Sequence, residues 1–176
     1  MNLRLKLSPG IYVVGFMGSG KSTIGRHLAR RLGWNFFDTD DEIEAAEQMK
    51  ISDIFTARGE PEFRRIENEI IRHHVRWIER GRPAVVALGG GAFVEPYNRE
   101  LLEEHGVSVW LDCPFDTVQK RVAGATHRPL ARDPQAFMRL FETRRDLYRQ
   151  ADAHIPIHTD DPEAVVDLIL AHSLLK

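Results

Sequence analysis

Eight residues near the start of the chain, Gly15-Phe16-Met17-Gly18-Ser19-Gly20-Lys21-Ser22, follow an apolar run (Ile11 to Val14) and precede Ile24, Leu28 and Leu32 at four-residue spacing. An apolar run of that length reads as a buried strand, and the four-residue spacing reads as a helix. A chain that passes from strand to helix through G-x-x-x-x-G-K-S is committed to an α/β arrangement, because the loop works only where backbone N–H groups converge at a helix start. Glycines let the backbone wrap closely, so that several N–H groups point inward at an anion. The helix opening near Lys21 adds the positive end of its dipole. Gly18, Ser19, Gly20, Lys21, Ser22 and Thr23 are therefore the expected ligands of a nucleotide's phosphates, with Lys21 reaching the β- and γ-phosphates and the Ser22 hydroxyl available to Mg²⁺.

The remaining pattern fits the same class. Ala84 to Leu88 and Val107 to Leu111 are further continuous apolar runs, and Asn35 to Asp38 and His154 to His158 are weaker strand candidates. Uninterrupted apolar strands belong in a parallel sheet covered on both faces. Helices are expected after the loop, over Glu60 to Glu79 with a stripe of Phe63, Ile66, Ile70, His74 and Trp77, after Pro114, and near 134–150 and 162–175. The last two open on Asp133-Pro134 and Asp161-Pro162, a capping aspartate followed by a first-turn proline. The segment Ala123 to Arg132 has little periodicity and carries two arginines; it reads as a mobile lid.

The 176 residues suit one domain, 1–176, and the net charge of −2 provides no global field for nucleic acid or an anionic membrane. The single cysteine, Cys113, allows no intrachain disulfide. With no apolar run of signal-peptide or membrane-span length, the expectation is a cytoplasmic protein. The eight histidines show no metal-ligand grouping, and Trp34, Trp77 and Trp110 read as core or core-edge residues.

A phosphate loop alone does not say what receives the phosphate. The chain is too short for the large domains of motor ATPases, and it lacks an Asn-Lys-x-Asp run for reading guanine. Asp38 and Asp40 follow the second strand at the sheet edge where ligands bind. If extended, they point to the same side, one toward Mg²⁺ and one toward the proton of an attacking hydroxyl. Asp40, Asp41 and Glu42 equally suit the first turn of a following helix. Arg64 sits beside the apolar stripe with Glu60 one turn back, and Arg65 pairs likewise with Glu69. Gly89-Gly90-Gly91 closes a buried strand, where one glycine would suffice for a turn; three allow something to approach closely.

Taken in order, these motifs resemble the shikimate kinase family over nearly the whole chain: Gly15 to Thr23, then Asp38 and Asp40, then Gly59, Glu60, Phe63 and Arg64, then Gly89 to Gly91, then Arg128-Pro129-Leu130. The resemblance implies a three-layer P-loop kinase fold with a central parallel five-stranded sheet, a lid at about 123–133 and a substrate-binding region at about 38–70. It implies transfer of the ATP γ-phosphate to the 3-hydroxyl of shikimate, with Mg²⁺, in a monomer that engages neither nucleic acid nor membrane. It also implies roles. Asp40 would bind the acceptor hydroxyl and act as base. Arg64 and Arg144 would clamp the acceptor carboxylate, beside Gly89, Gly90 and Gly91. Arg128 would close over the phosphates, Arg121 would lie near the adenine, and Ser22 and Asp38 would hold the metal, Ser22 directly. Spacing to Leu147-Tyr148 selects Arg144 over Arg145, with Asp146 standing where the family carries proline. A kinase for another hydroxy acid, such as gluconate or quinate, or a silent kinase-like sensor, are the alternatives. Lys21, Asp40 and Arg128 are all present, which disfavours the sensor.

Overall fold

The computed structural model describes residues 10–123 and 133–175. Five strands, β1 (Gly10–Val14), β2 (Asn35–Asp38), β3 (Ala84–Ala87), β4 (Val107–Asp112) and β5 (Ala153–Pro156), form one sheet in the order β2-β3-β1-β4-β5. Every neighbouring pair is parallel. The three inner strands are the ones written as continuous apolar runs, and β1 and β3 are buried throughout. The edge strand β5 alternates buried and exposed residues, as a strand with only one covered face must. It spans Ala153–Pro156, so His158 lies beyond it.

Among the described residues eight helices surround the sheet: α1 (Lys21–Leu32), α2 (Thr39–Glu47), α3 (Ile51–Arg58), α4 (Glu60–Glu79), α5 (Pro96–His105), α6 (Phe115–Ala123), α7 (Pro134–Tyr148) and α8 (Pro162–Ala171). Helix α4 has the bounds its pattern predicts, but its buried stripe runs Phe63, Ile66, Glu67, Ile71, His74, Val75 and Ile78. Ile70 and Trp77 fall at the rim of that stripe, one step of about 100° off its centre. Helices α7 and α8 start where Asp133 and Asp161 predict, Asp133 accepting from the N–H groups of Gln135 and Ala136 and Asp161 from that of Glu163. The last helix stops at Ala171, short of the expected 175, and a 3₁₀ turn (Ser173–Leu175) follows it.

The main core lies between the sheet and its flanking helices. A smaller cluster, Ile43, Ile54, Phe63 and Ile66, ties together α2, α3 and the start of α4. Among the described residues no helix is long and apolar enough to cross a membrane.

Register decides what meets at the carboxyl edge of the sheet. Val13 is level with Ala87, and Ala87 with Asp38. The loops leaving β1, β2 and β3 therefore open side by side. In an open parallel sheet this edge is where ligands bind.

Candidate functional site

The loop after β1 turns on glycines whose φ is positive, +78° at Gly18 and +94° at Gly20, a region that side-chain-bearing residues rarely enter. Gly20 is also the N-cap of α1, which has no side-chain cap and no acidic residue in its first turn. Helices α2, α7 and α8 are capped by aspartates. The uncapped start of α1 thus leaves its N–H groups and dipole for an anion. Lys21 Nζ donates to the Phe16 carbonyl at 2.9 Å, so the ammonium is folded back over the loop. The Ser19 hydroxyl is buried inside the loop with no protein partner, 3.0 Å from where a Cβ on Gly15 would stand.

Asp38 ends β2 and caps α2, its Oδ1 accepting from the backbone N–H of Asp40 at 3.0 Å and of Asp41 at 3.3 Å. Its Oδ2 accepts from the Ser22 hydroxyl. A hydroxyl and a carboxylate are the hard oxygen donors that suit Mg²⁺, so the pair fits that ion. The expectation that Asp38 and Asp40 lie on one side of an extended chain is corrected here. The chain turns into α2 at Thr39, because Asp38 satisfies the first-turn N–H groups and Thr39 is buried. Asp40, Asp41 and Glu42 do charge that first turn. Thr39 Oγ1 donates to the Ala87 carbonyl at 3.3 Å and accepts from the Gly89 N–H at 3.0 Å, which locks the start of α2 onto the end of β3.

That lock explains the three glycines. A Cβ on Gly89 would stand 2.5 Å from Asp40 Oδ1 and 3.1 Å from Glu67 Oε1. One on Gly90 would stand 3.4 Å from Arg144 Nη1, and one on Gly91 would stand 2.3 Å from Arg64 Nη2. Gly89 makes room for Asp40 and Glu67 and Gly91 for Arg64, whereas a Cβ on Gly90 would meet Arg144 at ordinary contact distance. None of the three has a positive φ, so at Gly89 and Gly91 space and not backbone freedom is the reason.

Arg64 is 13 % exposed and is held by Glu67 at 2.7 Å, Glu60 at 3.3 Å and, more loosely, Glu95 at 3.8 Å. Burial works to lower the Arg64 pKa, and Glu67 and Glu60 together raise it above the ordinary range. Burial pushes the Glu67 carboxyl up to about 7, against the pull of Arg64 and with a further push from Asp40. Arg144 lies over the Phe16 ring, 5.8 Å from its centroid. The buried Tyr148 donates its hydroxyl to the Gly90 carbonyl, and burial raises its pKa.

One arm of this site is therefore a phosphate cradle. The other presents a carboxylate and two guanidinium groups across a strip of bare backbone. The profile of the shikimate kinase family matches residues 17–173. The chain is 42% identical over 161 residues to the shikimate kinase of Persephonella marina (strain DSM 14350 / EX-H1), an alignment covering 91% of this chain and 96% of that one. The chain belongs to the shikimate kinase family.

Solved structures agree. The crystal structure of shikimate kinase from Aquifex aeolicus vf5 superposes with a TM-score of 0.80 at 35% identity, covering 92% of this chain and 94% of that one. Shikimate kinase from Acinetobacter baumannii in complex with shikimate gives the same TM-score and identity, with 97% of each chain covered.

Against that family, Asp146 is the departure in α7. It points to solvent and pairs with Arg149 at 2.5 Å, away from the glycine strip. Arg145 is taken by Asp112, and Arg144 is the one that faces Gly90. Arg121 donates to the Gly18 carbonyl at 2.9 Å and pairs with Asp160 at 2.5 Å, so it clasps the outside of the phosphate loop. Of the expected lid at about 123–133, Ala123 and Asp133 belong to the ends of α6 and α7, and residues 124–132, Arg128 among them, lie outside the described residues.

Sequence reasoning did not single out Glu67, Thr39 or Tyr148. Glu67 follows Arg64 by three residues, the spacing of a helix-face ion pair, and that was the available signal. Thr39 stood between the two aspartates, and Tyr148 in the segment used to choose Arg144. Cys113 is buried just past the end of β4, and burial raises its thiol pKa, as fits a small core residue.

Proposed function

We propose that the chain transfers the γ-phosphate of ATP to the 3-hydroxyl of shikimate, giving ADP and shikimate 3-phosphate on the route to chorismate and the aromatic amino acids. The observation that carries this is the strip Gly89–Gly91, over which Asp40, Arg144 and Arg64 converge beside an uncapped phosphate loop. Two arginines suit a carboxylate, which each can meet with paired N–H donors. A carboxylate at the start of α2 suits a hydroxyl.

In the reaction the acceptor oxygen forms a bond to Pγ as the bond from Pγ to the bridging oxygen of ADP breaks. Asp40 takes the proton of the attacking hydroxyl. Lys21 and the N–H groups of the loop neutralise charge on the phosphates, and alignment supplies most of the rest. Ser22 and Asp38 would hold Mg²⁺, which would supply positive charge beside the phosphates. Arg128, outside the described residues, is assigned to the transferring phosphoryl group, and Arg121 to the nucleotide end. All these groups come from one chain, so the reading needs no second copy. With ATP as donor, the cytoplasm is the compartment proposed.

A coupled assay of ADP release tests the proposal. Release should require ATP, Mg²⁺ and shikimate together, with kcat/KM for shikimate far above that for gluconate or quinate. Release no faster than the no-acceptor blank would remove it.

Gly91→Ala provides a sharper check of the acceptor arm. Gly91 has φ −96° and ψ −12°, ordinary backbone for alanine. The atoms nearest the new methyl carbon all belong to the end of the Arg64 side chain. The expected result is a rise of about tenfold in KM for shikimate, equivalent to ~1.4 kcal/mol, with the thermal midpoint kept. An unchanged KM would mean that Arg64 does not need this position.

A further inference from the structure

Arg144 and Arg145 are neighbours on α7, pointing about 100° apart around the helix. Arg144 turns to Gly90 and Phe16. Arg145 turns to the end of β4, where its Nε meets Asp112 Oδ1 at 3.2 Å and its Nη2 meets Oδ2 at 3.1 Å. The Asp112 side chain is only 10 % exposed, whereas Arg145 is 43 % exposed. His154 meets the same Oδ2 through one hydrogen bond at 2.8 Å, its ring stacked on Trp110 at 4.4 Å. The small cavity beside this carboxylate is lined by Phe16, Trp110, Asp112, Phe141, Arg145 and Tyr148. Phe16, one wall of that cavity, is also the ring over which Arg144 lies.

A nearly buried carboxylate that loses its cation is strongly penalised and takes another cation within reach. Arg145 occupies this carboxylate, and Arg144 packs on Phe16, a residue that lines the same cavity. We propose that Asp112 sorts the pair: by holding Arg145 at two points it leaves Arg144 for the acceptor's carboxylate, which makes Asp112 and Arg145 positioning residues of the acceptor site. This rests on the reading that Arg144 binds an acid acceptor.

Sorting makes a prediction that simple structural support does not. Arg145 touches no acceptor group, yet its removal leaves Asp112 with the His154 hydrogen bond and no guanidinium, and so able to draw Arg144 across Phe16. Removing the carboxylate as well takes away that pull. The test measures KM for shikimate and for ATP, and shikimate affinity by calorimetry, on the full chain. For Arg145→Gln the shikimate KM and Kd should rise about tenfold while KM for ATP stays within about twofold. In Arg145→Gln with Asp112→Asn both should return to within about twofold of the unmodified chain, a suppression that defines coupled residues. Arg145→Lys, which keeps a cation on Asp112, should rescue most of the affinity.

An unchanged shikimate affinity in Arg145→Gln overturns the proposal. So does a double variant as weak as the single one, or a loss shared equally by both substrates together with a lower thermal midpoint. Shikimate binding by the unmodified chain tests the functional reading separately. If that binding is absent, the functional reading falls; if it is present and Arg145→Gln has no effect, only the sorting falls.

Discussion

Asp40→Asn should lower kcat by roughly 10²- to 10⁴-fold, the span of a positioned general base, and leave KM for ATP little changed. The substitution keeps shape and hydrogen-bonding reach but removes the ability to accept a proton. It spares the fold for an identifiable reason: the cap of α2 is Asp38, not Asp40, and the helix is locked by Thr39. It also removes one of the charges that push the Glu67 carboxyl upward. Stability should therefore hold or rise slightly. Shikimate affinity by calorimetry should stay within about threefold, which separates a lost base from a lost binding contact. A turnover within a few-fold of the unmodified chain would remove Asp40 as the base, and the site would then work by alignment and charge neutralisation alone.

The parts of this site that were legible in the sequence are those whose chemistry is local. The phosphate loop is one contiguous motif, and its strand and helix flanks are set by short-range periodicity. The bounds of α4 and the starts of α7 and α8 follow from capping residues beside the helix they open. Legibility fails where burial is decided by distant chain. Glu67 reads as a surface carboxylate on an amphipathic helix, yet it is fully buried, with Gly89 and Glu95 among its neighbours. Which of Arg144 and Arg145 pairs with Asp112 could not be read, because Asp112 ends β4 more than thirty residues earlier in the chain. Helices α3 and α5 were not expected because their patterns are thin: α3 buries only Ile54, and α5 only Asn98 and Leu102. The three glycines were recognised as a place of close approach. What approaches them, Asp40 and Glu67, Arg144, and Arg64 in turn, emerges only when α2, α4 and α7 are brought together.

Arg64→Ala should raise KM for shikimate by about 100-fold or more, since removing one partner of a desolvated, hydrogen-bonded charge pair costs about 2–5 kcal/mol, while KM for ATP changes by less than about threefold. Equal changes in both would refute the assignment. Truncation has a second consequence, because Glu67 stays buried after its closest cation is gone. Its carboxyl, already at about 7 in the folded chain, loses the opposing pull of Arg64 and moves higher still. Between the unfolded value near 4.5 and the folded value, the folded chain holds a proton that the unfolded chain releases. Glu67 therefore makes stability fall as pH rises through that window. In Arg64→Ala the window extends upward, so the thermal midpoint should fall more steeply between about pH 6 and 8 than in the unmodified chain. Adding Glu67→Gln removes the ionisable group and should flatten that slope. It should not restore the shikimate KM, because the guanidinium that meets the carboxylate is still missing. If Glu67→Gln recovers both the midpoint and the KM, the effect of Arg64 on the acceptor is indirect, and the carboxylate clamp reduces to Arg144.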